Sequence, residues 1–174
     1  MKKPSLLLLT FLLASNSHLF ADAKPLSAHA DLINAQGEKT GTVALTEGTG
    51  GVQVSASVEK LPPGFHAFHV HAVGKCDGPD FKSAGGHFNP LHKQHGLKNP
   101  QGSHVGDMAD IEVGADGKGS AKTVAHGATL SGGESSLFHP DGTTLVIHAS
   151  QDDGMTDPAG NAGARIACGV IVKD

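Results

Sequence analysis

The run Gly64-Phe65-His66-Ala67-Phe68-His69-Val70-His71 alternates imidazoles with apolar side chains. Successive side chains of an extended strand point to opposite faces, so His69 and His71 share one face and Phe68 and Val70 the other. Such a strand can offer two nitrogens to one metal ion while its back fills a hydrophobic core. Imidazole suits copper and zinc, and closely spaced nitrogen ligands without a nearby thiolate suit Cu(II). His148 repeats the pattern, with Ile147 on the opposite face and Leu145 in register with it. Further candidates stand in the segment between: His87 within Ser83-Ala84-Gly85-Gly86-His87-Phe88-Asn89-Pro90, then His95, His104 and Asp107. Three imidazoles and one carboxylate satisfy a tetrahedral Zn²⁺ with no vacant position, the arrangement of a structural site. His69, His71 and His148 are then left for a second metal, with room for a shared fourth ligand and an open position. Taken singly, each loop histidine is as well explained by a solvated surface position, and the paired strand histidines by chance. The whole set is not.

The elements that must hold these residues are short strands. The 24 glycines and 9 prolines punctuate short alternating runs, the pattern of an all-β sandwich or barrel. Eight strands are expected at Ala28–Asn34, Thr40–Thr46, Val52–Val58, His66–Ala72, Met108–Val113, Ser120–Val124, Thr144–His148 and Arg165–Val172. Ala115-Asp116-Gly117-Lys118 marks a tight hairpin turn. Gly127–Gly133 and Glu134–Asp141 read as the cross-over connections of a Greek key. No segment has helical periodicity and no internal repeat is visible. Two connections are long, Val73–Gly106 and Ser150–Ala164. A structureless loop of that length in a compact domain usually serves function. Here the first holds His87, His95 and His104, with Asp107 just beyond it, so a metal can tie it together.

Both chain ends and the composition narrow the setting. Lys2 and Lys3, the apolar stretch Leu6–Leu13 and the small residues Ala21 and Ala23 read as a secretory signal peptide over residues 1–23. The apolar stretch is too short to span a bilayer, and no cysteine stands near the cleavage region to carry a lipid anchor. Residues 24–174 form one domain. The formal net charge of −4 loses two lysines and one aspartate with residues 1–23, leaving −5. There is no basic stripe, which argues against nucleic acid as a partner. Cys76 and Cys168 are the only cysteines, and in an exported protein they are expected to form one disulfide.

Three motifs resemble one family. His66-Ala67-Phe68-His69-Val70-His71, the stretch from Ala84-Gly85-Gly86-His87-Phe88-Asn89-Pro90 through His104-Val105-Gly106-Asp107, and Gly160-Asn161-Ala162-Gly163-Ala164-Arg165-Ile166-Ala167-Cys168-Gly169-Val170 are similar to those of bacterial exported copper/zinc superoxide dismutases. The likeness covers essentially all of residues 24–174. It implies an eight-stranded Greek-key β-sandwich or flattened barrel with two long functional loops. It also implies an enzyme that disproportionates superoxide into dioxygen and hydrogen peroxide, with one copper and one zinc per subunit. Carried over position by position, His69, His71, His87 and His148 become copper ligands and His87, His95, His104 and Asp107 zinc ligands, His87 bridging the two. Asp152 matches a carboxylate linking a copper-bound and a zinc-bound imidazole. Arg165 matches an active-site arginine that attracts the anion, and Cys76–Cys168 the disulfide. A lysine near the channel would be Lys75, Lys82, Lys93 or Lys98. The setting implied is the periplasm, without a membrane anchor, as a monomer or homodimer. His66 is expected to be a core histidine bonded to backbone, and His29, His92, His126 and His139 to be solvated. A copper-carrying domain of the same fold without activity would be expected to lack the bridge, the zinc set or the arginine, and a copper-only dismutase the zinc ligands. An adhesion module with this sandwich is the remaining alternative.

Overall fold

The computed structural model describes residues 24–174; the expected signal peptide lies outside the described residues. Ten strands follow in chain order: β1 Ser27–Ile33, β2 Lys39–Gly48, β3 Gly51–Val58, β4 Gly64–His66, β5 Phe68–His71, β6 Ile111–Val113, β7 Gly119–His126, β8 Thr144–His148, β9 Arg165–Val170 and β10 Val172–Lys173. All their pairings are antiparallel, in the order β4-β6-β7-β3-β2-β1-β9-β8-β5, with β10 added to β1. The two edge strands β4 and β5 are consecutive in the chain, so the sheet nearly closes on itself. Among the described residues the sole helical element is the 3₁₀ turn Lys82–Ala84.

Alternation of burial shows why the strands form. Ala28, Ala30 and Leu32 of β1, Val43 and Leu45 of β2, and Val52, Val54, Ala56 and Val58 of β3 all face one core. Each large aliphatic side chain buried there contributes roughly 1.5–3 kcal/mol. The expected hairpin turn forms, with Gly114 N–H donating to the Lys118 carbonyl and Gly117 in the left-handed region at φ 75°. Residues 127–143 connect β7 to β8, which are not neighbours in the sheet, as a Greek key requires.

Two strands bury both faces. On β5, Phe68 and Val70 enter the main core with Leu145 and Ile147 of β8, while His69, His71 and His148 are buried on the other side. Val146 also faces that other side, in a second cluster with Phe81, Ala84, Cys168, Ile33 and Cys76. Cys76 and Cys168 are joined at the centre of that cluster by the expected disulfide. A register shift between Ile147 and His148 places Arg165 opposite His148.

The expected strand His66–Ala72 is divided at Ala67 between the two sheet edges. Ala67 N–H goes to the Ser150 carbonyl, and the Ala67 carbonyl accepts from His148 N–H. Local alternation did not reveal the break because the pattern stays regular through it. Likewise Arg165–Val172 is divided at Ile171, which bonds Thr143 instead of a strand. Met108, expected in a strand, precedes β6 and is buried in the core.

The long first loop is laid along β5. Phe88 N–H bonds the Val70 carbonyl, Val70 N–H the Gly106 carbonyl, and Gly106 N–H the Phe88 carbonyl, at 2.8, 2.9 and 2.9 Å. These bonds set His87 opposite His71 and Asp107 opposite His69. Gly106 is required by this approach, since a Cβ there would run into the Val70 carbonyl.

Candidate metal centre

Two groups of side chains meet behind β5. In each, every residue can offer one ligand atom such that the atoms lie within 4.8 Å of one another: His69, His71, His87 and His148, and then His87, His95, His104 and Asp107. His87 belongs to both. The structure thus brings together all seven residues expected from the sequence.

Hydrogen bonds at the rim dictate what the inward nitrogens can do. His71 Nδ1 donates to the Gly85 carbonyl at 2.9 Å and His148 Nδ1 to the Gly163 carbonyl at 3.2 Å. A neutral imidazole has one donor and one acceptor, so in both rings Nε2 is left with a lone pair. These two Nε2 atoms face each other at 3.3 Å, where two lone pairs repel. His69 Nε2 donates to Asp152 Oδ2 at 2.7 Å, leaving Nδ1 as the lone-pair atom. His69 Nδ1 and His87 Nε2 are buried without any partner. Buried polar atoms rarely go unpaired, and four convergent lone pairs call for a cation. The donor set therefore fits a nitrogen-liganded metal such as copper.

The second group obeys the same logic. His95 Nε2 donates to Asp152 Oδ1 at 3.0 Å, so Nδ1, 3.1 Å from Asp107 Oδ1, is the nitrogen left for a metal in the neutral ring. Asp107 Oδ2 is occupied by the backbone N–H groups of Gly96 and His104, at 2.9 and 3.0 Å. That leaves Oδ1 for the interior, 2.9 Å from His87 Nδ1 and 3.3 Å from His104 Nδ1. One carboxylate oxygen and three imidazole nitrogens fit Zn²⁺.

Charge follows from these contacts. Burial holds His71 well below the ordinary imidazole range, and lowers His148 to about 3 and His87 to about 4, with neighbouring imidazoles adding to the effect. Burial also opposes a charge on His95, yet Asp107 and Asp152 outweigh it and raise that ring to about 9. Burial would raise both carboxyls, but hydrogen bonds from the surrounding histidines hold Asp107 and Asp152 far below the usual carboxylate range. A proton thus takes the cation's place between the carboxylates when no metal is bound.

Arg165 is clamped by two carbonyls, Nη1 donating to Phe81 and Nη2 to Gly85, each at 2.6 Å. Gly85 also receives His71 Nδ1, so one carbonyl orients both side chains. Of the four lysines considered, Lys82 pairs with Asp80 at 2.7 Å and Lys98 Nζ bonds the Asp153 carbonyl at 3.2 Å. His66 is a backbone-bonded core histidine as expected, its ring nitrogens 2.8 Å from the carbonyls of His148 and Pro62. His29, His92 and His126 are exposed. His139 corrects the expectation of a solvated ring: it stacks on Phe88 with centroids 5.3 Å apart, and its Nε2 is buried. The carbonyls of Phe81, Gly85 and Gly163 escaped sequence reasoning, since an orienting carbonyl can belong to any residue type. Asp110, whose Oδ1 accepts Asp152 N–H at 3.2 Å, was missed as well.

Comparison with known proteins agrees with this geometry. The family described as copper/zinc superoxide dismutase (SODC) matches residues 39–171. "Superoxide dismutase [Cu-Zn] 1" of Aquifex aeolicus is 49% identical over 154 residues, covering 87% of this chain and 91% of that protein. Among solved structures, a double mutant of a SOD-like protein from Bacillus subtilis, with histidines introduced at two positions, aligns with a TM-score of 0.79 at 43% identity over 82% of this chain and 95% of that one. The Cu/Zn superoxide dismutase from Brucella abortus aligns with a TM-score of 0.69 at 35% identity, over 84% of this chain and 99% of that one. The present chain belongs to the copper/zinc superoxide dismutase family.

Proposed function

We propose that His69, His71, His87 and His148 hold the copper of this superoxide dismutase, that His87, His95, His104 and Asp107 hold its zinc, and that His87 bridges them. The observation that carries the assignment is the double membership of His87. Its Nδ1 turns to Asp107 and its Nε2 is a buried, unpartnered lone pair beside the strand histidines. Copper, when bound, supplies the one-electron exchange by which two superoxide anions and two protons become dioxygen and hydrogen peroxide.

The side chains supply the rest. His87 Nε2 is the atom that can hold one proton for the peroxide, since its Nδ1 is committed to the Asp107 side; the second proton comes from solvent. Asp152 orients His69 and His95 together by taking the outer N–H of each. Arg165 attracts and orients the substrate anion. Two carbonyls fix its guanidinium, and donors of its fork remain for the ligand. It must act locally, because the chain after residue 23 carries a net charge of −5 by the count above. With zinc bound, Asp107 would hold the long loop to β5.

Export to the periplasm is part of the same reading. It is supported by the sequence of residues 1–23 and by the disulfide. Among the described residues no helix is long and apolar enough to cross a membrane.

Metal analysis joined to a superoxide assay tests the assignment. Wild-type protein should carry one copper and one zinc per chain, with high activity. Asp107→Ala should lose zinc while keeping most of its copper, and the Val73–Gly106 loop should lose hydrogen-exchange protection. Wild-type zinc content in that variant would refute the zinc set.

A further inference from the structure

We propose that Asp157, in the second loop, is a positioning residue for the zinc-side histidine His95, an inference that rests on the zinc assignment above. Asp157 Oδ1 accepts the backbone N–H of His95 at 2.6 Å across 62 residues of sequence. The same oxygen lies 4.0 Å from His104 Nε2. That is too long for a direct hydrogen bond, so the contact with the His95 backbone carries the role.

His95 is therefore held at three points by residues that are not ligands. Its ring Nε2 is taken by Asp152, its N–H by Asp157, and its carbonyl by Asn99 Nδ2 at 3.0 Å. Two of the three belong to the second loop. That loop cannot swing away without releasing both the ring and the backbone of His95.

The loop is built to present Asp157. Asp153 Oδ1 accepts the N–H groups of Met155 and Thr156, both at 2.8 Å, and its Oδ2 accepts Asn161 Nδ2 at 2.9 Å. Gly160 N–H closes on the Thr156 carbonyl at 2.7 Å, and Asp153 N–H on the Gly160 carbonyl at 3.0 Å. The resulting compact turn is docked to the first loop by Lys98 N–H on the Gly154 carbonyl at 3.0 Å. Asp153 thus shapes the loop, Asp152 reaches the two imidazoles, and Asp157 reaches the backbone that carries one of them. Because coupling between sites is reciprocal, zinc should order the second loop, and loosening that loop should speed zinc loss.

The test compares Asp157→Ala with Asp157→Asn in the full metal-loaded protein. Zinc release is followed with a chromogenic chelator, and protection of the His95 amide by hydrogen exchange. Removing an outer-shell partner of a metal site typically costs about 10–100-fold in affinity, and the half-exposed carboxylate places Asp157→Ala at the lower end, about tenfold faster release. Asn retains an oxygen acceptor for the His95 N–H, so Asp157→Asn should release zinc close to the wild-type rate and keep the amide protected. Wild-type release from Asp157→Ala would overturn the proposal, and so would equal acceleration in both variants. If Asp107→Ala also retained its zinc, the zinc assignment itself would fall; if Asp107→Ala loses zinc while Asp157→Ala does not, only the role of Asp157 falls.

Discussion

Reduction of the Cys76–Cys168 bond should weaken the fold and loosen the seat of Arg165 more than the strand histidines. The bond closes 92 residues. Restricting the unfolded chain over such a loop is worth about 4–5 kcal/mol in the chain-entropy account. For a domain of this size each kcal/mol moves the melting temperature by about 2–4 °C, so the reduced protein should melt roughly 8–20 °C lower. The structure also says where the loss is felt. Cys168 and Cys76 pack with Phe81, Ala84 and Val146 in the small second cluster, and the Phe81 carbonyl holds Arg165 Nη1. His69, His71 and His148 stand on β5 and β8, which pair with each other and share the main core. Calorimetry of the metal-loaded protein with and without a phosphine reductant, and of a Cys76→Ser/Cys168→Ser variant, measures the first effect. Hydrogen exchange should then show lost protection around Val73–Gly86 and preserved protection in β1–β3. Reduced protein should turn over superoxide more slowly while retaining its copper. A melting shift below about 5 °C, or uniform loss of protection, would refute the reasoning.

Arg165→Ala should slow superoxide turnover about tenfold with copper and zinc still near one each, because the side chain guides an anion and ligates nothing; the variant's rate should also depend less on salt, and full activity would remove Arg165 from the mechanism. Gly160→Ala should weaken metal binding about 10–100-fold, since its Cβ would run into Asp152 Oδ1 and come within 2.7 Å of His95 Nε2; unchanged metal retention would contradict the role given to Asp152. The metal-free protein should be most stable near pH 6.5. His87 and His148, lowered to about 4 and about 3, stay neutral in the fold while the unfolded chain takes up protons, so stability falls as pH drops from 6.5 toward 4. His95, raised to about 9, contributes stability below pH 6.5 that is lost as pH rises from there to 9. Denaturant titrations across pH 4–9 showing a monotonic trend would contradict these signs.

Most of the barrel was legible in the sequence because its strands bury one face. β1, β2 and β3 alternate cleanly, and the eight expected strands account for the framework. Alternation could not show the division at Ala67, where the chain passes from one sheet edge to the other with its pattern unbroken. The candidate metal-binding side chains were legible because few residue types can do that work, and because their family motifs are long. Asp152 and Asp153 could not be told apart by type. The structure separates them by direction, one into the imidazoles and the other into its own loop. Asp157 and the carbonyls of Phe81, Gly85 and Gly163 left no trace. Their contributions depend on where the backbone passes, which is a property of the whole fold.

Those backbone contributions decide the chemistry of the centre as much as the ligands do. A free imidazole can place its proton on either nitrogen, and a cluster of seven candidate ligands could settle into many arrangements. Here each outer nitrogen of His69, His71, His95 and His148 meets an acceptor that belongs to another part of the fold. The inward atom of His69, His71 and His148 is thereby a lone pair before any metal arrives, and in His95 it is the nitrogen whose proton a metal would displace. Among the described residues His104 has no acceptor within hydrogen-bond reach of its outer Nε2, and His87 differs in another way. No outer acceptor claims one of its nitrogens, since Nδ1 turns to Asp107 and Nε2 to the strand histidines. A ring committed to the interior at both ends is the one member of the set that can serve two metals, and the one whose Nε2 can change partners without breaking the frame around it.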